Sequence, residues 1–415
     1  MLKHSLIYIF AEVFNKGIPF LLLPLLTRYL TPYDYGIIAS FSAFVGFVSI
    51  FAGMSVNGAI NVNFFQYSHE KLKVYIANAV FLLMGMLALG ILVVLAFHAE
   101  LSKRLLLDSE WLYIGVVVSV AQMITLINLT LWLSEKKPKS YSIYQISQTL
   151  LTSLLTLTMI IGYGMHWEGQ LIAITLGSIS FGLISLYILH SRDYIEFRYD
   201  KKSLQDLLRF GVPLIPHQLA GWLTTNGDRL LLIALIGASA TGLFSVGYQI
   251  GMIMSVIVTA FHKAWNPYIY GKLSQGMSFR EKQTVVKYMY AYFVFIIALI
   301  FVLNTMGFYL FKYWIDEAFK DSYQYVIFIL IAYGFRGMYF MVVSYIFYFK
   351  RTKQLALITF ISSVIHIGLS YLFIQLYGAI GVAYSSIISS GMMFMGVFVY
   401  SQKIYPLPLL LGGEQ

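Results

Sequence analysis

Apolar residues along this chain do not recur at the three-or-four spacing of an amphipathic surface helix; they fill whole windows of about twenty residues. Twelve such windows are present, at roughly 5–30, 36–58, 74–97, 111–133, 141–162, 168–190, 206–236, 240–262, 285–311, 322–349, 355–377 and 379–402. A hydrocarbon core about 30 Å thick requires runs of this length in helical form. The pattern predicts an all-α integral membrane protein of about twelve transmembrane helices.

Composition agrees. Of 415 residues, 59% are apolar or aromatic and only 11% are charged, against about 25% charged in a soluble domain. The net charge of +10 does not indicate nucleic acid, because the basic residues are scattered among short loops and form no face or tail. The absence of cysteine excludes disulfides and thiolate metal sites. Met1-Leu2-Lys3-His4 opens on a basic flank, but the apolar run that follows is long and lacks a small-residue cleavage site, so it reads as a retained first helix.

Charge asymmetry orients the spans. Placing the N-terminus in the cytoplasm puts twenty of the 28 lysines and arginines in cytoplasmic segments and five (Arg28, Lys103, Arg104, Lys312 and Lys320) outside, as short translocated loops require. Both termini are then cytoplasmic. The expected organisation is a six-helix bundle over 1–190, a cytoplasmic linker over 191–205, a second six-helix bundle over 206–403 and a cytoplasmic tail over 404–415. The longest connections, 191–205 and 263–284, are too short to be folded domains. A weak repeat relates the halves: Gly17-Ile18-Pro19 matches Gly211-Val212-Pro213, Tyr35-Gly36-Ile37 matches Thr241-Gly242-Leu243, and Ala59-Ile60-Asn61 matches Ala264-Trp265-Asn266. Parallel repeats of this kind recur among secondary transporters.

The remaining three cations, Lys16, Arg229 and Arg336, lie inside apolar windows with the acids Glu12 and Asp228. A charge at the centre of a span costs about 2.5–3.5 kcal/mol on insertion scales, so these residues face a partner or a protein-lined cavity. Glu12 and Lys16, four residues apart, can neutralise each other or serve a substrate or ion. Asp228 and Arg229 point about 100° apart on a helix and cannot pair that way; each needs another partner, unless both lie near the external interface. Arg336 has no acid in its own span, and Gly334 and Gly337 beside it allow close approach of another backbone or a ligand. Polar residues cluster nearby: His217, Gln218, Thr224, Thr225 and Asn226 in the seventh span, and Asn57, Asn61 and Asn63 at the inner end of the second. For the asparagines, hydrogen bonding between helices is the expected role. His217 is either a packing residue or a group that titrates near neutral pH and couples a proton.

Paired prolines, Pro19 with Pro24 and Pro213 with Pro216, mark the first and seventh spans as bending elements. Gly247-x-x-x-Gly251 reads as a helix-packing face. No phosphate-binding loop, His-Glu-x-x-His helix, Cys/His metal cluster or Gly-x-Ser-x-Gly elbow is present, so no catalytic set, metal site or cofactor site is visible and the chain does not read as an enzyme.

Several stretches together resemble Wzx-type O-antigen flippases of the polysaccharide transporter family, within the MOP superfamily. They are Arg28-Tyr29-Leu30-Thr31-Pro32 with Tyr35-Gly36; Pro213, Pro216 and His217 through Gly221-Trp222 to Asp228-Arg229; Gly242-Leu243-Phe244-Ser245-Val246-Gly247-Tyr248-Gln249; Ala264-Trp265-Asn266-Pro267-Tyr268; Trp167-Glu168-Gly169-Gln170; and Tyr377-Gly378-Ala379 with Gly381 and Ala383. The chain departs at Gln170, where such flippases often carry Arg. The resemblance implies a multi-pass protein of the bacterial inner membrane that moves an undecaprenyl-diphosphate-linked oligosaccharide from the cytoplasmic to the periplasmic leaflet. It implies alternating access driven by H+ or Na+, with the polymerase and chain-length regulator of the same pathway as candidate partners. Lys16, Arg28, Arg229 and Arg336 are then candidate substrate-binding cations, and Glu12, Asp228 and His217 candidate coupling groups or charge partners. Two rival readings are a multidrug or cation antiporter of the same superfamily, which should carry an excess of membrane acids, and a membrane polymerase or ligase, which should carry a large external loop.

Overall fold

Helix ends here are set by capping chemistry as much as by hydropathy. The computed structural model describes residues 2–409, with the side chains of 2–6, 8 and 9 excepted; the Lys3 side chain and residues 410–415 of the expected tail lie outside what is described. Among the described residues there are fourteen α-helices and no strand: α1 (Leu2–Leu26), α2 (Pro32–Gly53), α3 (Val56–Phe64), α4 (His69–Leu105), α5 (Ser109–Ser134), α6 (Pro138–Leu157), α7 (Trp167–Ser191), α8 (Lys201–Gly211), α9 (Ile215–Leu235), α10 (Ala238–Gln275), α11 (Phe279–Tyr313), α12 (Tyr323–Tyr348), α13 (Thr352–Tyr377) and α14 (Gly381–Ile404). Nine stretches of helix are long and apolar enough to cross a membrane, the last running from Thr352 to Ile404 through both α13 and α14.

Two boundaries differ from the hydropathy windows for identifiable reasons. The connection expected over 263–284 is mostly helix, because α10 and α11 run on beyond their apolar segments. Gly276, at φ 75°, ends the first, and a capping box starts the second, with Ser278 and Glu281 satisfying each other's backbone N–H. The segment expected as linker over 191–205 already contains the start of α8, whose N-cap Asp200 accepts hydrogen bonds from the N–H groups of Lys202 and Ser203. Those bonds hold the Asp200 carboxyl below the usual carboxylate range, the Ser203 hydroxyl contributing most.

The chain forms two compact units, Met1–Gly242 and Leu243–Gln415. In the first, Tyr75, Ile76, Leu83, Leu131 and Leu207 belong to one fully buried cluster that ties α4, α5 and α8 together. Asn78, fully buried on α4, fastens the segment before α8: its Nδ2 donates to Arg198 O at 2.9 Å and its Oδ1 accepts from Asp200 N at 2.9 Å. At the start of α2 and α10 the backbones touch. A Cβ on Gly36 would lie 1.9 Å from Ala238 O, and one on Gly242 1.8 Å from Pro32 O, so only glycine allows this crossing. In the second unit, Gly247 and Gly251 seat α10 on α12, against Ser322 O and the Ile329 side chain.

The sequence repeat recurs as chemistry. Asn61 Oδ1 accepts from Ser134 Oγ at 2.8 Å in the first unit, and Asn266 Oδ1 accepts from Ser344 Oγ at 2.6 Å in the second. Each serine hydroxyl also lies against the carbonyl four residues earlier, Thr130 O or Phe340 O.

Candidate functional site

The second apolar window is interrupted. Met54 and Ser55 stand at φ 39° and 53°, in the left-handed region that non-glycine residues rarely adopt, and they separate α2 from α3. Gly211 makes room for the break: a Cβ there would lie 2.0 Å from Met54 O. On the other side, Pro213 interrupts the seventh window in a turn of 3-10 helix over Val212–Leu214, and Pro216 occupies the first turn of α9. The two breaks are joined by a hydrogen bond from Gln218 Nε2 to Ser55 Oγ. Between them lies a cavity of about 350 Å3, lined on its polar side by Ser49, Ser55, Asn57 and Gln218 and on its apolar side by residues that include Ile50, Met123, Leu126, Phe210 and Leu214.

Glu12 and Lys16 form an ion pair at 3.2 Å, both side chains about two-fifths exposed, which is the mutual neutralisation their spacing allows. Between them Asn15 bridges α1 to α6, donating to Gln145 Oε1 at 3.2 Å and accepting from Thr149 Oγ1 at 2.9 Å. On α9, Asp228 is 5% exposed, and Trp222 packs with Ala43 and Ile50 of α2. Arg229 turns its Nη1 back along its own helix to Thr225 O at 3.0 Å and Asn226 Oδ1 at 3.3 Å. The polar run Thr225-Asn226 therefore orients the guanidinium. Arg28, in the turn after α1, and His217, on α9, are both exposed.

Arg336 differs from the other cations. It is half-buried on α12, a helix with no acidic residue, and among the described residues no carboxylate lies within ion-pair distance of it. Its guanidinium carbon sits 5.8 Å above the Phe340 ring, which stacks in turn on His262 at 4.5 Å. His262 is held by Phe340 O at 3.0 Å through Nδ1 and by Asn266 at 3.2 Å through Nε2, so the Asn266–Ser344 contact of the repeat supports this stack from behind. Gly334 and Gly337 do not admit a ligand. They receive Ile296 and Ile300 of α11 and Val258 of α10.

Three further features were not read from the sequence. Asp206 of α8 accepts from Tyr75 OH at 2.8 Å and from Asn63 Nδ2 at 3.4 Å. Asn57, alone of the three asparagines, makes no hydrogen bond among the described residues and lines the cavity instead. Glu135, at the end of α5 and with a side chain only 10% exposed, binds Arg192 of the segment after α7, accepts from Tyr194 OH at 2.5 Å, and pairs with Lys137 at 3.1 Å. Burial opposes ionisation of Glu135, but the Tyr194 and Lys137 hydrogen bonds and the Arg192 charge outweigh it and lower its pKa. Tyr194, buried beside that carboxylate, is pushed up to about 12. No cluster of three or more His, Cys, Asp or Glu side chains that would hold a metal occurs among the described residues.

The fold is the one seen in solved transporters of the MOP superfamily. It superposes on an inward-facing multidrug resistance MATE family transporter of that superfamily with a TM-score of 0.74 at 15% identity, covering 95% of this chain and 93% of the other. It also superposes on the lipid II flippase MurJ in an inward closed conformation, with a TM-score of 0.76 at 14% identity and coverages of 96% and 87%. Residues 1–272 match the model of the polysaccharide biosynthesis protein family, and the chain belongs to that family. An uncharacterized membrane protein of Haemophilus influenzae is 25% identical over 375 residues, 89% of each chain.

Proposed function

We propose that the protein flips undecaprenyl-diphosphate-linked oligosaccharide, of the O-antigen type, from the cytoplasmic to the periplasmic leaflet of a bacterial inner membrane. The observation that carries this reading is Arg336, a half-buried cation in an apolar helix with no carboxylate beside it. Such a charge is costly in lipid and calls for an anionic partner. A diphosphate fits it, because a guanidinium grips phosphate oxygens bidentately. Membership of the polysaccharide biosynthesis family supports a glycan cargo, and the likeness to the lipid II flippase MurJ supports a lipid-linked one.

On this reading twelve spans arise by adding α1 and α9 to the nine apolar stretches and counting α13 and α14 separately, with both termini cytoplasmic and two six-helix halves alternating access. Arg229, oriented by Thr225 and Asn226, and Lys16 are the further cations, with Arg28 at the external end of α1. Glu12, Asp228 and His217 are the groups available for coupling to H+ or Na+. A multidrug exporter for cations fits less well, since an unpaired arginine repels such cargo.

The test is transport in a cell making a lipid-linked glycan. Loss of the gene should leave complete units on the cytoplasmic leaflet. Arg336→Ala and Arg229→Ala should restore neither transport nor the glycan surface, while reaching the membrane at wild-type levels. Wild-type transport by both variants would refute the cationic site.

A further inference from the structure

The cavity at the break between α2 and α3 is neutral. No charged side chain lines it, so it does not serve the diphosphate. Its volume of about 350 Å3 falls within the range of small-molecule sites, roughly 300–1,000 Å3. The lining has two characters: amide and hydroxyl groups from Asn57, Gln218, Ser49 and Ser55, and an apolar wall that includes the Phe210 ring. A pyranose has that same duality, with hydroxyl and acetamido groups around its edge and C–H groups on its faces.

Asn57 is the telling residue. It offers two donors and an acceptor, and no described residue uses them. The backbone beside it is held at the left-handed Met54 and Ser55, a conformation that persists only where the surrounding structure enforces it and that clusters at ligand sites. Here the enforcing contacts are Gln218 on Ser55 and the bare Cα of Gly211 under Met54 O. The strain thus turns Ser55 and Asn57 toward one space. That space lies at the inner end of the second span, on the side that the charge asymmetry assigns to the cytoplasm.

We infer that this cavity is a sugar subsite, which holds a pyranose of the lipid-linked cargo through Asn57, Gln218 and Ser55 on the loading side. The inference rests on the flippase reading and deepens it: the arginines select the diphosphate, and this neutral cavity selects for the presence of glycan. A carrier that reads both moves glycosylated lipid and leaves bare carrier lipid behind.

The experiment measures binding to the full-length protein in nanodiscs. The probes are undecaprenyl diphosphate alone and the same lipid carrying N-acetylglucosamine or galactose. The wild type should bind at least one sugar-bearing lipid about tenfold more tightly than the bare lipid. Asn57→Leu should lose about three- to tenfold of that preference, the size expected for hydrogen bonds made to ligand, and leave affinity for the bare lipid unchanged. Because Asn57 makes no bond within the described protein, its removal costs the fold none. Ser49→Leu, which fills the cavity from α2 and loses only a bond to Val45 O of its own helix, should act alike. Arg229→Ala, in the same unit as the cavity, should weaken both lipids equally. Equal binding of bare and glycosylated lipid by the wild type, or a preference surviving in both cavity variants, would overturn the subsite while leaving the flippase reading intact. No binding of any of these lipids by the wild type would overturn that reading and the subsite with it.

Discussion

Glu135→Ala should weaken the first unit by about 3 kcal/mol. The carboxylate holds three groups from two segments of chain: Arg192 and Tyr194 after α7, and Lys137 before α6. Hydrogen bonds involving a charged group contribute about 1.5–3 kcal/mol each. Two well-buried ones, from Arg192 and Tyr194, set an upper value near 6 kcal/mol. Arg192 retains 21% of its side-chain exposure and Lys137 54%, so water recovers part of the loss and Lys137 contributes little. Arg192 also stays seated over Tyr194 at 4.9 Å and Trp132 at 5.6 Å, which preserves about half of its anchoring. Unfolding by SDS titration in mixed micelles measures the difference. A cycle with Arg192→Ala should show a coupling of at least 1 kcal/mol between the two sites. The sign with pH follows from the lowered pKa of Glu135. Its contribution is complete above the ordinary carboxylate range near 4.5 and fades as pH falls through the lower folded value, so Glu135→Gln and wild type should converge only in acid. A variant within 0.5 kcal/mol of wild type at neutral pH, or strictly additive single changes, would refute the argument.

Other expectations concern the helix ends and the repeat. Gly36→Val should cost about 3 kcal/mol or prevent assembly, because the new side chain meets backbone, Ala238 O, which cannot swing aside; yield and SDS titration report it. Asn78→Ala removes the two bonds that hold Arg198 and Asp200, at about 1 kcal/mol each. Limited proteolysis should then cut the 191–200 segment several-fold faster. Asn61→Ala and Asn266→Ala delete the same contact in the two units and should cost alike, about 0.6 kcal/mol each by the average for hydrogen bonds between membrane helices. A cost confined to one of them would show that the repeat is not matched in energy.

The apolar windows were legible because hydrocarbon thickness fixes their length, and Arg336 stood out because a lone charge in such a window has few explanations. The Glu12–Lys16 pair was legible from spacing alone. The break at Met54 and Ser55 was not: neither residue is a helix breaker, and the residues that accommodate and bridge the break, Gly211 and Gln218, lie more than 150 residues along the chain. The asparagines were read as a group, yet Asn61 and Asn63 found partners on α5 and α8 while Asn57 did not. Partner choice depends on which helices pack together, and hydropathy carries no such information. Gly334 and Gly337 misled for a related reason. A glycine announces close approach, but only packing reveals that the approaching group is isoleucine or valine.

A helix that stops and restarts within a span leaves backbone groups without intrahelical partners. The first bond of the restarted helix runs from Ala59 N to Ser55 O, so the N–H groups of residues 55–58 precede it. Inside a bilayer such groups are tolerated only against protein or a water-filled space. The neighbouring cavity of about 350 Å3 has room for on the order of ten waters at about 30 Å3 each. Water in that cavity would satisfy these four amides, which should exchange hydrogen as a loop does. On the proposed reading, a glycan entering there trades one shell of hydroxyls for another, and neither sugar nor backbone is left dry during loading.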